Sequence, residues 1–317
     1  MNEIDINKNT GDFDEEINLR ELIRVLLEGK WIIVFFTAFV STVAVIYSLL
    51  LPNIYESKAL LVPADSSNNL TRSLGNYSDL AGLAGIPIPS INAEENSVKA
   101  LEKISSLSFF ESNILNNIFL PDLMAMKSWS PETNTIIYDE NIYDTINNTW
   151  VRSYSYPKKQ IPSAQESFEV FKTKHLSLTE DKTSGFITLA IKHQSPFVAK
   201  KWVDLVINEV NSFYRQKDKS ESEKAISYLN RQISIIGLSE IKQAIAQLLS
   251  EEIKKLTLIE ANEYYVFDFI DPPAVMEKKS EPKRALICII SAILGGLLSI
   301  FLVLIKHYVL LKKLHES

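Results

Sequence analysis

"IDPPAVMEKKSEPKRALICIISAILGGLLSIFLVLI", residues 270–305, passes from a proline-punctuated, charged tether into an unbroken apolar run. No side chain between Ala285 and Ile305 is charged, and the same holds from Trp31 to Leu51. As helix, each run would extend roughly 31 Å, about the thickness of a hydrocarbon core. The chain therefore reads as held by lipid at both ends, with residues 52–284 left to form one substantial domain between two transmembrane helices. A cleaved signal peptide is the competing reading of the first run. It fails because the 30 preceding residues carry eight acidic and four basic side chains, the run is too long, and it exits through Leu50-Leu51-Pro52-Asn53.

Composition removes several function classes. The net charge of −6 and pI of 5.4 offer no polycation, so nucleic acid is not an expected partner. The single cysteine, Cys288, lies inside the second apolar run and can form no internal disulfide. No GxxxxGK[ST] phosphate loop and no GxSxG element occurs, and Asp12-Phe13-Asp14 sits in an acidic tail where solvated charge explains it. His175 and His193 lack Cys, Asp or Glu at ligand spacing. No catalytic, cofactor-binding or metal residues are expected, and the chain is not expected to be an enzyme. A periplasmic hydrolase would require an acid and a base that no pattern supplies.

Arg20, Arg24 and Lys30 precede the first run and Lys306, Lys312 and Lys313 follow the second, favouring cytoplasmic ends. Lys278, Lys279, Lys283 and Arg284 stand on the opposite side of the second run. A domain of this length translocates largely regardless of charge.

Between the runs, "YESKALLVP" (55–63) predicts a strand, and residues 64–93 predict a long loop with an apolar insert, "LAGLAGIPI". "NSVKALEKISSLSFFESNIL" predicts a helix with Val98, Leu101, Ile104 and Leu107 on its inner stripe. Residues 121–162 carry Trp129, Trp150 and several tyrosines among polar side chains without a readable period. Two alternating runs around Asp181–Gly185 predict a hairpin.

Ser195-Pro196 opens the longest periodic pattern, with Val198, Trp202, Leu205, Val206, Val210 and Phe213 in a stripe. "RQKDKSESEK" (215–224) has no apolar residue, so the helix is expected to leave its own core, aided by Lys217–Glu221 and Lys219–Glu223 at i,i+4 spacing. Gly237 then permits either a turn into a second helix carrying Ile241, Ile245, Leu248, Leu249, Leu256 and Ile259, or one uninterrupted helix; "YYVFDFID", a strand that must return to the base, favours the turn. Before the first run, "NLRELIRVLLE" predicts a short helix with Leu19, Leu22, Ile23 and Leu26 on one face, capped by Asn18.

With the elements in this order, the sequence resembles the Wzz-type chain-length determinants, polysaccharide co-polymerases of O-antigen synthesis. "INLRELIRVLLEGKWIIVFF" and "LPNIYESKALLVP" are similar to that family's cytoplasmic start, first span and first periplasmic strand. "EYYVFDFIDPPAVMEKKSEPKRALI" with Gly295-Gly296 is similar to its proline-containing junction and second span. Here "AVMEKKSE" separates Pro273 from Pro282, a less proline-rich junction than in many relatives. The resemblance implies an α+β periplasmic domain with long projecting helices, flanked by two transmembrane α-helices. It divides the chain into a cytoplasmic segment 1–30, spans 31–51 and 285–305, a periplasmic domain 52–284 with an arm at about 196–262, and a cytoplasmic tail 306–317.

Expected partners are further copies of the chain in a ring, the O-antigen polymerase, the growing lipid-linked polysaccharide and the lipid bilayer, in a Gram-negative inner membrane. The resemblance implies control of modal chain length without catalysis. A two-span membrane sensor or export adaptor with a helical arm is the competing reading. The residues expected to matter are Pro272, Pro273 and Pro282, which keep the junction extended, and the small-residue stripe Ser291, Ala292, Gly295, Gly296 and Ser299, which lets helix backbones approach in lipid. Thr37 with Ser41 and Ala44 with Ser48 offer a matching face on the first span.

Overall fold

The computed structural model describes residues 19–64, 93–262 and 264–315. Asn18 and the insert "LAGLAGIPI" lie outside them. The chain divides into two compact units, one of the terminal segments up to Pro52 and from Glu281, the other of Asn53–Ser280.

The first unit contains α1 (Leu19–Glu28), α2 (Lys30–Leu50) and the C-terminal helix, α8 (Arg284–His315). Two of these, Lys30–Leu50 and Arg284–His307, are long and apolar enough to cross a membrane. The second continues beyond the expected end at Ile305, because the following "KHYVLLKK" contains no helix breaker. Side chains of α2 and α8 stand bare: Phe35 is 68% exposed and Phe301 61%. A core helix of a soluble protein would be covered, so lipid is the solvent that suits this surface.

Only one stripe on each helix is covered. On α8 it contains Ser291, Ala292, Gly295, Gly296 and Ser299; on α2 it contains Thr37, Val40, Ser41, Ala44 and Ser48. Lipid is as apolar as Leu, so these helices associate through close contact and not through the hydrophobic effect. A Cβ at Gly295 would come within 3.1 Å of Val40 Cβ, whereas one at Gly296 would find nothing nearer than Thr37 Oγ1 at 4.0 Å. Ser299 Oγ returns its hydrogen bond to Gly296 O at 2.7 Å. Arg284 Nε donates to Ser48 O at 3.2 Å.

α1 departs from the expected face. Val25 is buried and Ile23 exposed, because a Cβ at Gly29 would meet Val303 Cγ1 at 2.5 Å and the helix turns its Val25–Gly29 edge toward α8.

The second unit is built on an antiparallel sheet ordered β6-β7-β1-β8, from β1 (Tyr55–Pro63), β6 (Leu176–Glu180), β7 (Ile187–His193) and β8 (Phe267–Asp271). Ala59, Leu61, Ile187, Leu189 and Ile191 alternate onto one face and are buried against α6 (Pro196–Ile235). The β6–β7 turn is the expected one: the Asp181 carboxylate accepts from Thr183 N and Ser184 Oγ, and Gly185 takes φ 71°. On α6 the buried stripe is Ala199, Trp202, Val203, Val206, Ile207 and Val210, with Val198, Leu205 and Phe213 only partly covered. The expected stripe thus sits about one residue off, because sheet and flanking helices cover an arc wider than one row.

The predicted helix at 96–115 breaks. α3 (Ala93–Ile104) ends at Ser105, and Ser106 caps a new turn by accepting from Phe109 N. Ile104 of the expected stripe is buried and Leu101 partly so, but Val98 and Leu107 are exposed, and Ala100, Phe109, Phe110 and Ile114 are buried beside Ile104. The unreadable stretch 121–162 contains all but the first residue of α4 (Leu120–Met124) and two small hairpins, β2 (Met126–Ser130) with β3 (Thr135–Tyr138) and β4 (Tyr143–Asp144) with β5 (Thr149–Trp150); α5 (Ala164–Val170) follows it. Asn134 and Asn148 turn the two hairpins at positive φ.

Gly295→Leu should cost about 1–3 kcal/mol of packing, lowering the thermal midpoint of the detergent-solubilised full chain. Gly296→Ala should change it by less than about 0.5 kcal/mol equivalent. Equal effects would mean that Gly295 does not make the close approach.

Candidate functional site: the junction, the arm and a histidine cluster

Within the second unit the two ends leave side by side. Ser280 N and Oγ both donate to Ile54 O, at 2.8 and 3.2 Å, Lys279 Nζ donates to Asn53 Oδ1, and Ser57 Oγ donates to Ala274 O. The junction between β8 and α8 contains neither helix nor strand beyond an isolated bridge at Glu281. Pro273 is buried, Pro282 half-buried and Pro272 exposed. The bonds to 53–57 hold the connector against the start of β1.

The arm is a helical hairpin. α6 is 40 residues long, roughly 60 Å, and stops at Ile235; after Ile236-Gly237-Leu238, α7 (Ser239–Ala261) returns along it. Ile226, Leu229 and Ile233 on α6 and Ile245, Leu249 and Leu256 on α7 are apolar side chains at least partly covered in the hairpin, while Ile259 joins the core at its root. The polar stretch 215–224 is less solvated than its composition suggests. Lys217 pairs with Glu221 at 3.9 Å, but Lys219 pairs across the hairpin with Glu260 and not with Glu223, while Asp218 accepts from Tyr265 OH. Ser222 is buried against α7.

Asn211, missed by the periodicity, ties the arm to the sheet. From inside α6 its Oδ1 accepts from Val266 N and Phe267 N at 2.8 and 2.9 Å, and its Nδ2 donates to Phe267 O at 3.1 Å. A polar residue interrupting an apolar stripe was the available signal.

Beyond its internal seam the arm leaves apolar side chains bare. Ile235 is 77% exposed and Leu238 61%, with Tyr228, Ile241, Leu248 and Ile253 also exposed. Ile241 and Leu248 belong to the apolar run expected on the second helix, yet they lie outside the covered positions of α7.

His175 and His193 do not merely flank their hairpin; their rings are neighbours, tilted against each other. Their ring centroids lie 5.6 Å apart, and the Trp202 ring stands edge-on to both, at 5.5 and 5.0 Å. Ser195 N donates to His193 Nδ1 at 3.0 Å, so the neutral ring's proton is on Nε2, facing Asp122 O at 3.2 Å. His175 Nδ1 donates to Lys192 O at 2.7 Å. Burial pushes both imidazoles down to about 4, helped at His175 by the neighbouring His193 and Lys174. Among the described residues no cluster of three or more His, Cys, Asp or Glu could hold a metal ion.

Beside the histidines lies a cleft of about 660 Å³. Its charges are largely consumed: Arg152 is bidentate to Glu166 and donates to the carbonyls of Lys159 and Gln160, and the Asp122 carboxylate, raised by burial, accepts from Tyr138 OH at 2.6 Å. Trp129 and Trp150 pack against Tyr55 and Tyr143. Both tryptophans have their edge-to-face partners inside the chain.

Residues 15–121 match the model of the Wzz family, described as chain length determinant protein. The first third of the chain carries the chain-length determinant pattern. No curated protein matches the chain. Among solved structures it is similar to a full-length bacterial polysaccharide co-polymerase, at 13% identity and TM-score 0.40, over 92% of this chain and 98% of that one. It is also similar to a fragment of WzzB, polysaccharide co-polymerase from Salmonella Typhimurium, at 13% identity and TM-score 0.32, over 72% of this chain and 100% of that one.

Asn211→Leu leaves three buried backbone groups unpaired, each worth about 1 kcal/mol or more. A loss of about 3 kcal/mol or greater is expected on chemical unfolding of the full chain, with Asn211→Ser intermediate. A neutral Asn211→Leu would show that the arm root does not depend on this side chain.

Proposed function

We propose that this protein is a non-catalytic regulator of O-antigen modal chain length, an oligomeric scaffold in the inner membrane with residues 52–284 in the periplasm. The single observation that carries the reading is the arm's uncovered apolar stripe, on a domain whose two ends lie side by side and each continue along the chain into a helix long and apolar enough to cross a membrane. Bare Ile and Leu in contact with water cost roughly 1.5–3 kcal/mol each, relative to burial, so the stripe calls for a partner. Two anchors restrict tumbling of the domain, and identical copies held in one orientation can meet along their arms as a closed ring. The match to the chain-length determinant model over residues 15–121 supports the same reading.

In this account the ring gathers the O-antigen polymerase and the growing lipid-linked polysaccharide. Pro272, Pro273 and Pro282 keep the junction short of a continuous helix. The stripe Ser291, Ala292, Gly295, Gly296 and Ser299 holds the two spans of each copy together.

Deleting the gene should convert a modal distribution of surface polysaccharide lengths on a gel into an unimodal decay dominated by short chains; an unchanged ladder removes the role. Ile241→Glu with Leu248→Glu should reduce the purified assembly to small species by light scattering, with secondary structure retained. A stable dimer of the unaltered chain would favour a sensor or export adaptor instead.

A further inference from the structure

Ser195 is the N-cap of α6, the helix that becomes the arm. Its Oγ accepts from Val198 N, its carbonyl accepts from Ala199 N, and its own N–H is satisfied by His193 Nδ1. The side chain that ends β7 thus closes the turn into the arm, and it does so only while Nδ1 keeps its lone pair. The ring's other nitrogen is committed to Asp122 O, so the Nδ1 lone pair is the one place a second proton can go.

We propose that His193 is an acid-released clasp at the root of the arm: a proton taken from solvent at Nδ1 removes the acceptor for the Ser195 N–H and frees the first turn of α6 from β7.

The surroundings offer the imidazolium little compensation. From β6, β7 and the turn before β6 come neutral His175, Lys174 and Lys192; from α6 comes Lys201 near Asp122; from α5 comes Glu166, already bidentate with Arg152. The Asp122 carboxylate accepts from Tyr138 and is itself driven toward its neutral form by burial. The third neighbour, Trp202, is a neutral indole in a T-shaped contact and supplies no counter-charge. Protonation therefore places a charge in a layer built for two neutral rings, and opening the turn to water is the escape.

The sign follows from linkage. The closed state holds His193 down at about 4 and the open state returns it to the ordinary 6.5. The stabilisation is then complete above about pH 6.5 and is lost as pH falls toward about 4. At about pH 5 the turn should open roughly thirtyfold more often than at about pH 8. His175 titrates in the same window, but its Nδ1 bond to Lys192 O survives protonation at Nε2. A consequence for polysaccharide length rests on the function proposed above; the clasp does not.

The test is hydrogen exchange of the peptide covering 193–203 in the full chain in detergent, normalised for intrinsic exchange, in two variants. His175→Phe retains the packing against Trp202 and leaves His193 as the titrating ring. Adding His193→Asn puts Oδ1 where Nδ1 was, an acceptor at every pH. Protection in His175→Phe should fall about tenfold or more between about pH 8 and pH 5, and stay within about twofold in the double variant. A flat single variant, or a double variant that loses protection equally, overturns the clasp. Should the double variant not fold, the NMR titration of His193 in the unaltered chain decides. A midpoint well below 6.5, with opening that tracks it, supports the clasp, and one at or above 6.5 overturns it. No readout involves polysaccharide, so failure here and failure of the length-control role are separable.

Discussion

The covered face of the antiparallel sheet is the constraint from which the second unit follows. β1 lies between β7 and β8, and its inward side chains, with those of β7, need an apolar cover that the first half of α6 supplies through Trp202, Val203, Val206, Ile207 and Val210. Once that half is fixed on the sheet, the remaining turns have no sheet left to cover. A helix is stiff over this length, so the chain must project as an arm and return along it. The polar stretch 215–224 marks the place where cover changes from sheet to α7.

The same division explains where polar groups are buried. At the root, the helix has to meet strand ends whose backbone groups are unpaired. Asn211 answers for β8 and His193 for the turn after β7, each satisfying main-chain donors from a side chain. Buried polar groups of this kind specify one arrangement at the cost of tolerating few substitutions. Along the arm, by contrast, apolar side chains remain on the outside. That surplus is the physical ground on which an assembly of several copies is proposed.

In the first unit the energetic logic is different. Two helices solvated by lipid gain nothing by hiding leucine, and the covered stripes are accordingly rich in Gly, Ala, Ser and Thr, with Val40 filling the space that Gly295 leaves. Gly295 and Gly296 look equivalent in the sequence but are not: helical rotation brings the first against Val40 and leaves the second with room for a methyl group.

Local pattern alone determined the two long apolar helices, the β6–β7 hairpin, the strand 55–63 and the long helix from Pro196, because each depends on near neighbours in the chain and on which solvent a side chain prefers. It missed whatever depends on residues brought together from afar. The inward stripe of α3 and the seam of α6 were displaced because cover is set by the neighbouring elements and not by the helix's own pattern. The small hairpins of 126–150 escaped notice because strands of two to five residues are too short to show alternation. Two histidines eighteen positions apart carry no mark of contact. Only the pairing of β6 with β7, and the packing of Trp202 on both rings, puts them in one dry layer, where their protonation is decided by what folding removes from water.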